Sequence, residues 1–138
     1  MSQEHVEIVR RVFDAVARRD TASILALYDP HIEFQASPGT LVDRMGGRRV
    51  YHGHAGLRAY NRDLEEAFES IQTTYEELID AGEGVVSTGR YRARGRGSGV
   101  EVEGPVQFGV WTIRGGKVTR VVWYSTRAEA LEAVGLSE

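Results

Sequence analysis

The sequence predicts an α+β fold, with helices packed on one face of a curved, mainly antiparallel sheet. Two observations predict it. Apolar residues recur at helical spacing through the first half of the chain, then give way near residue 71 to the alternation of strands. Three turn signals, Ala81–Gly84, Gly95–Gly99 and Arg114–Gly116, divide the second half into an antiparallel meander. At 138 residues the chain is long enough for one domain, 1–138, with a real core and a pocket.

The elements follow in order. Val9, Val12, Phe13 and Val16 form the stripe of a first helix. Thr21 can cap a second, shorter helix running through Ile24, Leu25, Leu27 and Tyr28, stopped by Asp29-Pro30. His31 to Gln35 makes a short strand. Ala36 to Arg49 is irregular, with glycines and a proline, as expected of a binding loop. Gly53 precedes a third helix with the stripe Leu57, Tyr60, Leu64 and Phe68. Strands are expected at Ile71–Asp80, Val85–Arg94, Val100–Ile113 and Lys117–Ser125. Thr126 and Glu129 form a capping box for a last short helix that ends at Gly135.

Composition narrows the function. The chain has no cysteine, which excludes disulfides, thiol catalysis and thiolate-bound zinc. No apolar run is long enough to span a membrane, and Met1 to Arg11 holds no apolar signal region, so a cytoplasmic location is expected. The formal net charge of −3 argues against a dedicated nucleic-acid binder. One charge anomaly stands out. Arg90, Arg92 and Arg94 share a strand face that ends at Arg96 on a glycine-rich tip. Such a tip could grip RNA phosphates, or its arginines could pair with Glu101 and Glu103 on the facing strand; Arg90 could also turn inward to hold an anionic group.

Four stretches carry a resemblance. They are Ile24-Leu25-Ala26-Leu27-Tyr28-Asp29-Pro30, Tyr51-His52-Gly53-His54-Ala55-Gly56-Leu57-Arg58, Val110-Trp111-Thr112-Ile113-Arg114-Gly115-Gly116-Lys117-Val118 and the tail from Arg127 to Leu136. With this order of elements, the chain resembles the SnoaL-like branch of the nuclear-transport-factor-2-like, or ketosteroid-isomerase-like, superfamily. The resemblance implies a cone-shaped domain whose bent sheet and helices enclose one apolar pocket, often in a dimer. It implies no single activity, because isomerases, cyclases, hydrolases, dehydratases and non-catalytic binding modules share the fold.

The acid and base positions of the steroid isomerases fall on Val12, Phe34 and Gly109, none of which can do that work. The last strand carries no carboxylate for cyclase chemistry, and no pair of strand aspartates flanks Arg90 for epoxide hydrolysis. Alternation places Gln107, Gly109, Trp111, Val121, Trp123 and Ser125 on one face, which the resemblance turns inward. Tyr28, Phe34 and Tyr60 join them as expected pocket lining, with Gly109 leaving room for a ligand.

Histidines are then the titratable groups best suited to proton transfer near pH 7. His52 and His54 at the start of the third helix are the expected bases, with Tyr51 steadying an oxyanion. A His-x-His metal site is the alternative for that pair, but it lacks a firm third ligand, so no metal or other cofactor is expected. The expected ligand is an apolar or aromatic small molecule. The expected assembly is a homodimer through the outer sheet face, on which Val100, Val102, Val106, Phe108, Val110, Val118, Val122 and Tyr124 present apolar side chains. A non-catalytic binding module stands beside the enzyme as the second reading.

Overall fold

The computed structural model describes residues 2–37, 40, 43, 50–82, 84–104 and 106–136. Along them run α1 (Ser2–Ala17), α2 (Thr21–Leu27), β1 (Tyr28–Ala36), β2 (Val50–His52), α3 (Gly53–Ala67), β3 (Phe68–Asp80), β4 (Gly84–Gly95), β5 (Glu101–Glu103), β6 (Gln107–Arg114), β7 (Lys117–Tyr124) and α4 (Arg127–Ala133). Most of the loop expected at Ala36 to Arg49 lies outside the described residues.

Helix α1 buries Val6, Val9, Val12 and Ala15, spaced three apart along one face. Val16 lies one further step around the helix and is 38% exposed, so it leaves the expected stripe. The cap of α2 is Asp20 and not Thr21. Its Oδ1 accepts the Ser23 backbone N–H at 3.1 Å, and its Oδ2 accepts the Ser23 hydroxyl at 2.6 Å. These bonds need the ionised carboxyl, and the Ser23 hydroxyl above all holds Asp20 below the usual carboxylate range. A depressed carboxylate stabilises above its unfolded pKa, and the gain is lost as pH falls through the folded value. Protection of the Ser23 and Ile24 amides, measured against their intrinsic exchange rates, is therefore expected to fall on acidification. In Asp20→Asn, whose cap cannot titrate, it should not; an equal acid response in both proteins would refute this cap.

Helix α2 stops at Leu27 and β1 begins at Tyr28, three residues ahead of the expected His31. The proline explains the early switch, because Asp29 must be extended before Pro30. The strands form one open sheet in the order β2-β1-β7-β6-β4-β3, with β5 beside the far end of β4. The meander is antiparallel throughout, and β1 joins it parallel to β7.

The strand expected over Val100–Ile113 is two strands, which pair with different halves of β4. The break falls at Gly104-Pro105-Val106, where a proline has no N–H to give a ladder. A register shift in β7 next to Val118 turns that side chain inward, fully buried in the main core, and corrects its expected place on the outer face.

The outer face has a cover of its own. Ala130 and Leu131 of α4 pack on Val86, with Phe108, Val110 and Tyr124 half-buried around them. This corrects the expectation that the chain's helices reach one side only. Thr126 and Glu129 make the expected capping box, the Glu129 N–H donating to Thr126 Oγ1 at 3.2 Å. Gly135 ends the helix with φ +77°, a left-handed conformation that glycine adopts without strain.

Candidate ligand-binding site

Register sets the inner face of the sheet. Phe34 of β1 lies beside Val121 of β7, Val121 beside Trp111 of β6, and Trp111 beside Val85 of β4. All four are at most 3% exposed. The next inward row is Ala36, Trp123, Gly109 and Ser87. Ala36, Gly109 and Ser87 of this row are buried, and Trp123 keeps partial exposure.

Helices α1 and α3 close over these rows. Phe13 of α1 packs 5.6 Å from Trp111, ring centre to ring centre, and Tyr60 of α3 packs 4.6 Å from Phe34. Trp111 and Trp123 meet edge to face at 5.7 Å, and Trp123 lies 6.5 Å from Phe34. The result is a continuous aromatic wall, fully buried at Trp111 and Phe34 and partly buried at Trp123 and Tyr60.

The apolar residues of this inner side fall into two clusters. The larger holds Trp111, Phe34 and Tyr51, with Tyr60 and Trp123 packed on its margin. The smaller joins Tyr91 and Ala93 to Leu64, Phe68 and Ile71. Helix α3 reaches both, through Leu57 and Tyr60 to one and Leu64 to the other. Between them β4 presents Gly89, flanked by Gln107 of β6 and by Tyr75 of β3, whose ring packs 5.1 Å from that of Phe13. Gly89 is needed there because a Cβ would lie 2.9 Å from the Thr74 carbonyl oxygen, which the β3 bulge brings against it.

Tyr28, Phe34, Tyr60, Gln107, Gly109, Trp111, Val121 and Trp123 thus come to one side of the sheet. Tyr28 sits deep in the main core at 4% exposure, and desolvation pushes its phenol up. The room expected at Gly109 is not there. A Cβ would stand 2.8 Å from both Ser87 Oγ and Trp111 Nε1, and 2.9 Å from Trp123 Cζ3. Trp111 Nε1 donates to Ser87 Oγ at 2.9 Å across that spot, so the protein's own side chains fill it.

Arg90 does not reach inward. Alternation along β4 aims Val85, Ser87 and Tyr91 at the core, and Arg90 at the opposite face, where it pairs with Glu76. Arg92 pairs with Glu103 and Arg94 with Glu101 and Glu69, all exposed. Arg96 donates to the carbonyls of Glu65 and Phe68, at the end of α3. Of the two readings of these arginines, RNA contact or pairing with Glu101 and Glu103, the structure shows the pairing, and pairs this exposed add little to stability.

The expected histidine bases are also displaced. Tyr51 points inward from β2 at 2% exposure, which turns His52, its neighbour in the strand, to the solvent side. His54 Nε2 lies 2.9 Å from the Tyr28 carbonyl oxygen, so its ring ties the start of α3 to β1. Neither ring faces the aromatic wall. Among the described residues, no group of three or more His, Asp or Glu side chains could hold a metal ion.

What the sequence reading missed is a pair. Tyr51 OH donates to Asp63 Oδ2 at 2.8 Å, beside the Tyr60 ring, 5.5 Å from that of Tyr51. Asp63 stands three residues after Tyr60, a spacing that places both on one side of a helix. Desolvation, helped by Tyr51, pushes the Tyr60 phenol up, so it stays protonated at physiological pH.

A family model described as a SnoaL-like domain matches residues 9–121. No curated protein matches the sequence. Among solved structures, an NTF2-like protein of unknown function from Burkholderia pseudomallei K96243 is 22% identical, with TM-score 0.78 over 96% of this chain and 98% of that one. TerC, co-crystallised with polyporic acid, is 21% identical, with TM-score 0.77 over 95% and 98%. An NTF2-like protein from Burkholderia thailandensis E264 is 26% identical, with TM-score 0.75 over 91% and 95%.

Proposed function

Because the chain belongs to the SnoaL-like domain family, whose α+β cone its structural relatives share, we propose that it binds an apolar or aromatic small molecule without a cofactor. The proposed site is the inner side of the sheet beneath α3. One observation carries the reading: a wall of packed aromatic rings is buried at Trp111 and Phe34 and only partly buried at Trp123 and Tyr60. Beyond Trp123 and Tyr60 the inner face carries Gly89, with Gln107 and Tyr75 on either side of it, and then a second apolar cluster. A flat ligand laid there covers Trp123 and Tyr60 and bridges the two clusters. The structure of TerC with polyporic acid lends support by fold alone.

A second reading, isomerase-, cyclase- or dehydratase-type chemistry on the same ligand, is favoured by the phenols. Tyr60 remains a donor and could steady a developing oxyanion, with Tyr51 oriented beside it by Asp63. Pairing of two copies through the outer sheet face, where Phe108, Val110 and Tyr124 stay half-buried around α4, belongs to the same proposal. Trp123→Ala tests the wall. It is expected to cost about 1 kcal/mol of stability, the ring being half-buried. Affinity for 2-methylnaphthalene, followed by fluorescence, should fall about tenfold or more. A parent protein that binds neither this probe nor 2-naphthol would overturn the reading.

A further inference from the structure

Asp63 sits on α3 one turn beyond Tyr60, half-buried, and its Oδ2 accepts the Tyr51 hydroxyl at 2.8 Å. A phenol is a neutral donor, so the carboxylate keeps its charge and most of its lone pairs. Among the described residues no cation forms an ion pair with Asp63, and its Oδ1 has no hydrogen-bond partner. Other carboxylates of the chain are neutralised: Glu33 by Arg120 at 3.5 Å, Glu77 by Arg127 at 2.9 Å, and Glu76 by Arg90. Taking a carboxylate part-way out of water without a counter-charge is costly. What lies beside Asp63 instead is aromatic. The rings of Phe34, Tyr51 and Tyr60 all meet one another, with centres 4.6 to 6.0 Å apart. Ring faces carry the negative side of a quadrupole, so rings and carboxylate together attract a cation. Tyr60 and Asp63 both keep partial exposure, so a ligand reaches this position from solvent.

We infer that the ligand is a cation, an aromatic body carrying a protonated amine that pairs with Asp63 beside the Tyr51 and Tyr60 rings. The inference rests on the binding site proposed above and adds the charge of its ligand. The aromatic body lies against Tyr60, and the ammonium group donates to the free carboxylate oxygen. Tyr51 holds the other oxygen and so fixes the direction in which the carboxylate faces. A neutral ligand of the same shape leaves the carboxylate unpaired and gains only from the rings, so Asp63 selects for positive charge.

The test compares 2-naphthylmethylamine, a cation at neutral pH, with 2-naphthylmethanol, its neutral counterpart of the same size. Followed by naphthalene fluorescence, the parent protein should bind the amine about tenfold more tightly than the alcohol. Asp63→Asn removes the charge and keeps an oxygen for the Tyr51 hydroxyl. In that variant the amine should bind about tenfold more weakly, while the alcohol changes less than twofold. A carboxylate that only anchored Tyr51 would shift both probes together or neither. A parent that binds the alcohol as tightly as the amine would overturn the inference, and that comparison needs no variant. Equal effects of Asp63→Asn on the two probes would overturn it as well. Either result, with 2-methylnaphthalene still bound, would leave the site itself standing. Failure of the parent to bind any of these naphthalenes would overturn both.

Discussion

Trp111→Ala is expected to cost about 3–5 kcal/mol, the range for truncating a fully buried aromatic residue. The ring is 2% exposed and is held from three sides: Phe13 on α1, Trp123 on β7 and Ser87 on β4. Truncation opens a cavity where the helices meet the sheet and also leaves the buried Ser87 hydroxyl without the indole N–H. Domains of this size hold roughly 5–15 kcal/mol in total, so the variant should melt roughly 10 °C or more below the parent. Trp111→Phe separates the two terms, restoring most of the volume and none of the hydrogen bond; it should recover most of the loss but about 1 kcal/mol. Denaturant melts decide the matter. A loss below about 1 kcal/mol for Trp111→Ala would mean that the ring lines open space and is not packed core.

Local signals in the sequence located the helices and the meander because their physics is local. A stripe at 3.6 residues, a glycine-rich turn and a Thr-x-x-Glu box each act within a few residues, and they stand where expected except at two stripe ends: Val16 is exposed, and Phe68 opens β3 instead of closing the third helix. The parallel pairing of β1 with β7 has no such signal. It joins Phe34 to Val121 across most of the chain and follows from closing the sheet, not from any short motif. The bulge beside Val118 is similar, since one extra residue reverses the side a residue faces without altering composition.

Other errors were avoidable. Arg90 shares its parity with Arg92 and Arg94, so a strand that turns those two to solvent cannot turn Arg90 inward. His52 follows Tyr51 in an extended segment, and the two cannot both face the core. Reading the histidines as bases gave weight to their pKa and neglected this geometry. The paired hydroxyl and carboxylate of Tyr51 and Asp63 were harder to find. They sit on different elements, brought together where Gly56 lets α3 press against the Tyr51 backbone, with a Cβ there only 2.9 Å from its carbonyl carbon.

Gly109 is where sequence and structure differ most usefully, and its substitution should discriminate between them. An empty pocket over Gly109 would accept a methyl group at no cost. The structure instead puts that methyl 2.8 Å from two atoms already bonded to each other, Ser87 Oγ and Trp111 Nε1. Neither can withdraw without breaking the bond, and Trp123 Cζ3 closes the third side at 2.9 Å. Gly109→Ala is therefore expected to destabilise by about 1–3 kcal/mol, the usual cost of overpacking a close-packed core. Gly109→Asp, the residue type that the resemblance to steroid isomerases would place here, adds a carboxyl removed from water. Burial would raise its folded pKa above the unfolded value of about 3.9. The folded state then binds more protons than the unfolded one, so stability falls as pH rises. Relative to the parent, the penalty of Gly109→Asp should be smallest near pH 4 and grow as pH rises through the folded pKa, whereas that of Gly109→Ala should not depend on pH. Melts of both variants at acid and neutral pH test this, and a Gly109→Ala protein within about 0.5 kcal/mol of the parent would mean that the space over Gly109 is open after all.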